Sequence, residues 1–184
     1  MVAIMKVYTD FGGTDDTPGT EEEATTVRFK QADGNTIDTN NPIVIPASGT
    51  DRSFWKHVYL FSSVAPASQI DNVRFWSDTT NGLGTGVDLY AGDETPTKNS
   101  GSDAGYDLAI GTTAMTDHTD ITAQTSVFSL SSASPLTVSI SEAGNIIDAI
   151  SETSNYVILQ MTVADTAGSG VITAETLTFQ YDEI

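Results

Sequence analysis

The side chains that could do chemistry in this chain are two histidines and a large set of carboxylates, because its 184 residues include no cysteine. His118 stands in the segment TDHTD, flanked by Asp117 and Asp120. Histidine and aspartate this close together could ligate a metal ion. No second histidine lies nearby in the sequence, and His57 belongs to another predicted element. We therefore interpret His118 as a solvated loop histidine rather than as a ligand.

A second group of candidate ligands lies in the polar segment 10–23, which is rich in Gly, Thr and acidic residues. Calcium prefers six to eight oxygen ligands, and this segment offers several carboxylates. Their spacing does not match an EF-hand loop, and Pro18-Gly19 indicates a turn. A solvated acidic loop is the favoured interpretation, so calcium stays open and no cofactor is predicted. The carboxylates concerned are Asp15, Asp16, Glu21, Glu22 and Glu23.

Motifs that would indicate an enzyme are missing from the sequence. The segment TTNGLGTG at 79–86 is rich in glycine, but it lacks the GxxxxGK[ST] pattern of a phosphate-binding loop. There is no GxSxG elbow, no HExxH helix and no Ser-His-Asp order. With 25 acidic residues some carboxylates lie close by chance, so a glycosidase pair is not indicated. The sequence predicts a protein that is not an enzyme and has no catalytic residues.

The charge of the chain excludes several partners. Its formal charge is −18, from 25 acidic and 7 basic residues. Nucleic acids and anionic membranes require cationic partners, so neither is expected to bind. The acidity is typical of an ordinary soluble surface or of adaptation to high salt, and both explanations stay open. The first residues lack the apolar core of a signal peptide, and no run approaches about 20 apolar residues, so we expect a soluble protein made in the cytoplasm.

The elements that must position these side chains are organised around residues 53–78, which contain both tryptophans. In the run 53–64 both the odd-numbered and the even-numbered positions carry bulky side chains, and these two sets point to opposite faces of a strand. The run therefore predicts a central strand that is covered on its second face as well. The next strand, 70–77, places Val73 and Phe75 in the core. Arg74 and Trp76 then point outward or into a contact, where Trp and Arg are favoured anchors.

The remaining pattern of short alternating runs and turns predicts an all-β fold. We expect an antiparallel β-sandwich, jelly-roll-like, with eight to ten strands and one short helix at 142–150. A fibronectin- or immunoglobulin-like sandwich is the alternative, although the chain is long for it. The chain is expected to form a single domain, 1–184, with residues 1–10 as an N-terminal strand or arm. The last two strands are expected to pair as a hairpin. Besides the two central strands, the predicted strands are 25–31, 87–91, 126–130, 136–140, 155–164 and 171–182. Residues 3–9 (strand or arm), 41–46 (at a sheet edge) and 106–110 are further candidates.

Three segments of the middle third, SFWKHVYLF, QIDNVRFWSD and GLGTGVDLYAG, carry a resemblance to a known family. They resemble small β-sandwich structural proteins of tailed viruses, such as capsid decoration or cement proteins and jelly-roll proteins at vertices. The resemblance implies a virion protein, synthesised in the host cytoplasm, present as a homo-oligomer and bound to the major capsid protein. It also implies that segment 1–8 could extend a neighbour's sheet. The candidate interface residues are Ile4, Val7, Tyr8, Trp55, Arg74 and Trp76.

A carbohydrate-binding or host-attachment module with a jelly-roll fold is the alternative function. Such modules present exposed aromatic platforms, for which Trp55, Trp76, Tyr59 and Tyr90 are candidates. The two hypotheses predict different behaviour, because a module is expected to be a monomer that binds glycans. An assembly protein is expected to self-associate or to bind particles.

Overall fold

A computed structural model describes residues 2–94, 98–109, 114–119, 121–170 and 172–184, without the side chains of residues 94, 116 and 122. Ten strands account for its regular structure. Three single turns of 3-10 helix are the helical elements in these ranges, and none is long and apolar enough to cross a membrane. The strands are β1 (Ile4–Thr14), β2 (Thr17–Glu23), β3 (Thr50–Arg52), β4 (Lys56–Val64), β5 (Ile70–Ser77), β6 (Val87–Glu94), β7 (Ile121–Ser126), β8 (Leu136–Thr137), β9 (Val157–Ala164) and β10 (Leu177–Glu183).

The strands form two antiparallel sheets of unequal size. The larger sheet has seven strands in the order β2-β1-β4-β9-β6-β7, with β3 also paired to β9. The smaller sheet has three strands in the order β10-β5-β8. The prediction of an all-β antiparallel sandwich is therefore confirmed.

The prediction that β4 is covered on both faces is confirmed. Val58 and Leu60 face the core between the two sheets, while His57 and Tyr59 belong to a second buried cluster on the opposite face of the larger sheet. Successive side chains of a strand point to opposite faces, so both faces of this strand are buried. The inward assignment of Phe75 is also confirmed, since that side chain is 1% exposed in the core between the sheets.

The predicted helix at 142–150 is wrong. Only Ala143–Asn145 forms a single 3-10 turn, in which Gly144 has φ 78° and Asn145 has φ 59°. These left-handed conformations end a right-handed helix. The chain then returns to extended backbone, because Ile147 exchanges two hydrogen bonds with Ile70, at 2.8 and 3.0 Å. Ile147 therefore belongs to an extended segment that is bridged to β5, whereas Ile150 lies in an exposed turn.

The predicted hairpin of the last two strands is also wrong. β9 pairs with β4 and β6 in the larger sheet, whereas β10 pairs with β5 in the smaller one. Val157, Ile158 and Leu159 are fully buried. A strand buried on both faces needs a central position with a neighbour on each side, which a terminal hairpin does not supply.

Residues 4–23 form a hairpin, so the predicted N-terminal strand or arm is a strand, and the polar segment after it is not a loop. β1 pairs with β4 from Ile4 to Asp10 but with β2 only from Tyr8 onward, so the extension of a neighbour's sheet by segment 1–8 stays a prediction. The hairpin depends on Gly13, which has φ 79°, because a Cβ there would lie 2.2 Å from the carbonyl oxygen of Thr17. The small size of glycine is therefore required at this turn.

Three predicted strands are irregular segments. Residues 25–31, 41–46 and 106–109 lack strand pairing, although Val27 and Phe29 pack against the core as expected. Isolated hydrogen bonds, such as Gln31 N–H to Asn41 O at 2.9 Å, hold them in place of a ladder. Residues 110 and 171, predicted as strand residues, lie outside the described ranges. The predicted strand 126–130 is wrong, because Val127–Ser129 forms a 3-10 turn, and of the predicted 136–140 only Leu136–Thr137 is a strand.

Candidate functional site

A layer of buried polar side chains covers the outer face of the larger sheet, beneath residues 98–109 and 114–119. Alternate residues of β1 and β4 point into it, and side chains of the covering segments meet them from above. Tyr106 fastens this cover by donating its hydroxyl to Gly12 O at 2.7 Å, and Trp55 donates Nε1–H to Asp107 O at 2.9 Å. We call this set the polar layer, and its members are Asp10, His57, Tyr59, Lys98, Asp103, Tyr106, Asp107, His118 and Tyr156.

Lys98 is the centre of one half of the polar layer. Its Nζ lies 3.4 Å from Asp10 Oδ2 and 3.1 Å from Glu21 Oε1, and it also contacts Asp103. The same ammonium lies 4.4 Å from the centre of the Tyr59 ring. The Lys98 side chain is 3% exposed and that of Asp10 is not exposed at all. This is a buried ion pair with additional hydrogen bonds, the geometry that offsets the cost of desolvating both charges.

The protonation states of Asp10 and Lys98 are determined by their burial and by their contacts with each other and with neighbouring groups. Burial raises the pKa of Asp10 to about 6, although Lys98 and the hydroxyls of Tyr156 and Tyr59 lower it. Burial lowers the pKa of Lys98, but the attraction of Asp10 and the contacts with Asp103 outweigh burial and raise it on balance. At neutral pH the pair is therefore charged on both sides.

The carboxylates around Lys98 also have the arrangement of a metal site. One oxygen each from Asp10, Glu21 and Asp103 lies within 4.8 Å of the others. The ammonium of Lys98 contacts all three residues, so it already supplies the positive charge that a divalent cation would bring. A metal ion would have to displace Lys98 to bind there.

The acidic residues considered for calcium serve separate partners. Asp15 accepts the N–H of Leu108 at 3.0 Å, and Asp16 accepts that of Gly105 at 3.3 Å. Glu23 pairs with Lys6 at 2.5 Å on the surface. The segment is therefore a hairpin and not a loop, while Asp15 and Asp16 are exposed, as expected, and also anchor the cover of the polar layer.

The two histidines meet in the other half of the polar layer. Nε2 of His57 lies 3.0 Å from Nε2 of His118, and Nδ1 of His118 lies 3.4 Å from Asp107 Oδ2. His57 and His118 are 2% and 1% exposed. The interpretation of His118 as a solvated loop histidine is therefore wrong, while Asp120 lies outside the described residues.

The histidine pair is built to stay neutral. Burial, followed by the repulsion of His118, Lys56 and Lys98, lowers the pKa of His57 well below its usual value. Burial also lowers the pKa of His118, although Asp107 and Asp15 raise it. A histidine that is neutral when folded but takes up a proton when unfolded stabilises the fold only above its unfolded pKa.

We expect acid to weaken the fold through this pair. Stability is fully present above pH 6.5 and is lost as the pH falls, by up to about 2 kcal/mol per histidine between pH 6.5 and 5. Urea unfolding of the wild type and of His57→Gln/His118→Gln at pH 8, 6.5 and 5 measures this. The wild type should lose more free energy of unfolding than the variant. Equal losses would show that neither histidine is held neutral, since any contribution of Asp10 is common to both proteins.

The residues proposed for an interface or an aromatic platform differ in their solvent exposure. Trp55 and Tyr59 are buried, so their assignment as exposed platforms is wrong. Tyr8 is half-buried and stacks on Phe61, with the ring centres 4.6 Å apart. Ile4 is 51% exposed. The other candidates, Val7, Arg74, Trp76 and Tyr90, are partly buried.

A groove opens between the two sheets on the other side of the molecule. It has a volume of about 920 Å³ and lies between β10 and the irregular segment 24–43. Val58, Phe75 and Leu159 form its floor and are at most 1% exposed, so the opening narrows above them. Ile37 and Ile172 line it and are 73% and 39% exposed.

Sequence reasoning missed the polar layer, although lysine usage carried a signal for it. Lys6, Lys30, Lys56 and Lys98 are the four lysines of the chain, and the last three are buried. Lysine is seldom buried without a partner. In so acidic a chain, the few lysines were therefore candidates for buried cations paired with carboxylates.

No protein-family model, no curated protein and no solved structure matches this chain.

Proposed function

We propose that this chain is a non-enzymatic structural protein of a virus particle, which binds the major capsid protein as a decoration, cement or vertex-associated protein. The proposal combines the resemblance of the middle third with one structural observation. That observation is a strand edge that is open within the described residues and lies beside a mainly apolar groove, on a protein in which Lys98 is paired with Asp10 and His57 with His118.

The polar layer supports a structural role rather than catalysis. A catalytic acid, base or nucleophile must reach a substrate at hydrogen-bond distance. Asp10, His57 and His118 are at most 2% exposed, and each contacts another member of the layer. Lys98 is similarly enclosed by carboxylates. These contacts fasten the cover to the sheet.

The unequal sheets support assembly. Seven strands present more apolar surface than three strands cover, so the irregular segment 24–43 completes the sandwich and leaves the groove beside β10. Exposed apolar side chains at the rim of such a groove are typical of surfaces that another protein covers.

Binding to particles tests the proposal. Particles assembled without the chain are mixed with increasing amounts of it, then pelleted and heated. Saturable binding and a higher temperature of particle disruption are expected. Failure to pellet with the particles, or no change in that temperature, would overturn the proposal.

Trp76→Ala provides a more specific prediction. Trp76 shares an outward parity with Arg74, and it is only partly buried. We expect the fold to persist and particle binding to weaken, because Trp is a favoured interface anchor. Thermal unfolding and particle pelleting measured on one preparation distinguish the outcomes. Loss of the fold would place Trp76 in the core instead.

A carbohydrate-binding function remains the second candidate because of a polar pocket of about 360 Å³ beside Lys98. Phe61, Asn99, Ser102 and Thr153 contribute to its walls, and the hydroxyl of Thr153 has no hydrogen-bond partner among the described residues. An aromatic ring next to amide and hydroxyl groups is suited to a sugar. This function would be favoured if the chain were a monomer that bound to a glycan array and did not bind to the particles.

A further inference from the structure

The free edge of the smaller sheet is the outer side of β10. Within the described residues β10 pairs only with β5, in a register that aligns Phe179 with Phe75. Val138 donates its N–H to Val73 O at 2.9 Å, so Val73 and Phe75 direct their backbone groups toward β8. Alternate residues of β5 therefore bond to β10, through Thr178 and Gln180. The backbone N–H and C=O of Leu177 and Phe179 therefore point in the opposite direction, away from β5 and toward the free side of the strand.

The groove lies beside this open edge. The side chains of Leu177 and Phe179 line it, together with Val7 of β1 and the floor residues of the core. An extended segment that paired with β10 would therefore direct alternate side chains into an apolar space. The exposed Ile37 and Ile172 would be covered at the rim.

The charges along β10 select what can pair with it. Glu175 precedes the strand and Glu183 ends it, whereas residues 177–180 are uncharged and Asp182 is paired with Arg74. Arg28 and Lys30 line the opposite side of the groove. Natural sheets protect free edges with charged residues or proline, as β2 does with Pro18 and three glutamates. The centre of β10 has no such protection. A complementary strand is apolar or neutral in the middle and carries Lys or Arg at both ends.

We propose that β10 and the adjoining groove bind an extended segment of a different protein, which adds as a fourth strand to the smaller sheet. The segment alternates apolar and polar residues and has basic residues at each end. This inference rests on the proposed function, because it makes that segment part of a particle subunit. A second copy of this chain is the wrong partner for the edge, since each copy carries −18 charges. The predicted homo-oligomer would use another surface.

A synthetic peptide tests this docking mode directly. The probe is a capped peptide of alternating valine and threonine with two lysines at each end, and its control has glutamates in place of the lysines. We expect the lysine peptide to bind and the glutamate peptide to bind at least about tenfold more weakly. Hydrogen exchange should slow at the amides of Leu177 and Phe179, which bond to the added strand.

Two matched variants locate the site. Ile37→Asp places a charge on the rim of the groove, whereas Ile150→Asp changes an isoleucine that is 63% exposed outside the groove. We expect Ile37→Asp to lower the affinity for the lysine peptide about tenfold and Ile150→Asp to leave it unchanged. Both substitutions are on the surface, so both proteins should fold.

Other outcomes would overturn the docking mode. Equal loss of binding in both variants, or no protection at Leu177 and Phe179, would place the peptide elsewhere. A dimer of the chain that buries the edge, or displacement of the peptide by a fatty acid, would identify a different occupant. Particle binding that survives in Ile37→Asp would overturn this docking mode and leave the proposed function standing, whereas no particle binding by the wild type would overturn that function itself.

Discussion

Replacing Lys98 by alanine is expected to lower the free energy of unfolding by about 3–5 kcal/mol, the range for removing one partner of a buried ion pair. The substitution leaves Asp10, which has no exposed side-chain surface, without the ammonium 3.4 Å away. Urea unfolding at pH 8 measures the loss. Lys6→Ala is the matched control, because it removes another lysine–carboxylate pair whose side chains are 37% and 43% exposed. Exposed ion pairs contribute little to the free energy of unfolding, so the urea midpoint of Lys6→Ala should be close to that of the wild type.

The pH dependence of Lys98→Ala gives a second readout. Lys98 lowers the pKa of Asp10, which burial raises to about 6, so the variant should have an Asp10 pKa above that value. An acid with a raised pKa destabilises the fold once it ionises, and the penalty disappears at lower pH. The difference between wild type and variant should therefore shrink from pH 8 to pH 5.

A double variant covers the case in which Lys98→Ala does not fold. Lys98→Met/Asp10→Asn removes both charges and retains one oxygen at residue 10 that can accept from Tyr156, while the amide can donate to the hydroxyl oxygen of Tyr59. It should be more stable than Lys98→Met alone, by a coupling energy of about 0.5–3 kcal/mol. If the Lys98 variants were no less stable than Lys6→Ala, the ion pair would not be a stabilising centre.

Phe75→Ala is expected to cost about 3–5 kcal/mol, the range for deleting a buried phenylalanine. The side chain is 1% exposed, and its ring packs edge-on against Phe179 with the ring centres 5.0 Å apart. Phe75 also forms part of the groove floor, so the cavity left behind adjoins existing open space. Equilibrium unfolding by urea and by heat measures the loss.

Phe61→Ala is the control for this prediction. Phe61 is partly exposed on the opposite face of the larger sheet, where it stacks on Tyr8. Its loss should cost about 1 kcal/mol, the scale of an aromatic pair. A cost below about 1 kcal/mol for Phe75→Ala would contradict the assignment of that side chain to the core.

The sequence was sufficient to predict the central strands because their residue types match strand periodicity. Val73 and Phe75 alternate with polar residues, and β4 has bulky groups on both parities. Fold class and inward positions follow from such local patterns. Pairing does not, because it depends on which strands meet across long separations. β9 and β10 are neighbours in sequence yet belong to different sheets, since β9 is buried on both faces and needs partners on both sides.

The polar layer could not be predicted because its members come from distant segments. His57 and His118 are 61 residues apart, and Asp10 and Tyr156 are 146 apart. Each residue alone is typical of a solvated position, and only the fold brings them together. The irregular cover that buries them has no periodicity to detect, so the second buried face of β4 was the indication that something lies above it.

Lys98 also determines how the fold responds to its surroundings. A cation covalently attached to the polypeptide cannot dissociate on dilution, and a chelator cannot extract it. The ammonium therefore occupies the cluster of Asp10, Glu21 and Asp103 whatever the ion content of the solution. The cover over the larger sheet should therefore hold equally well in calcium-poor and calcium-rich solutions.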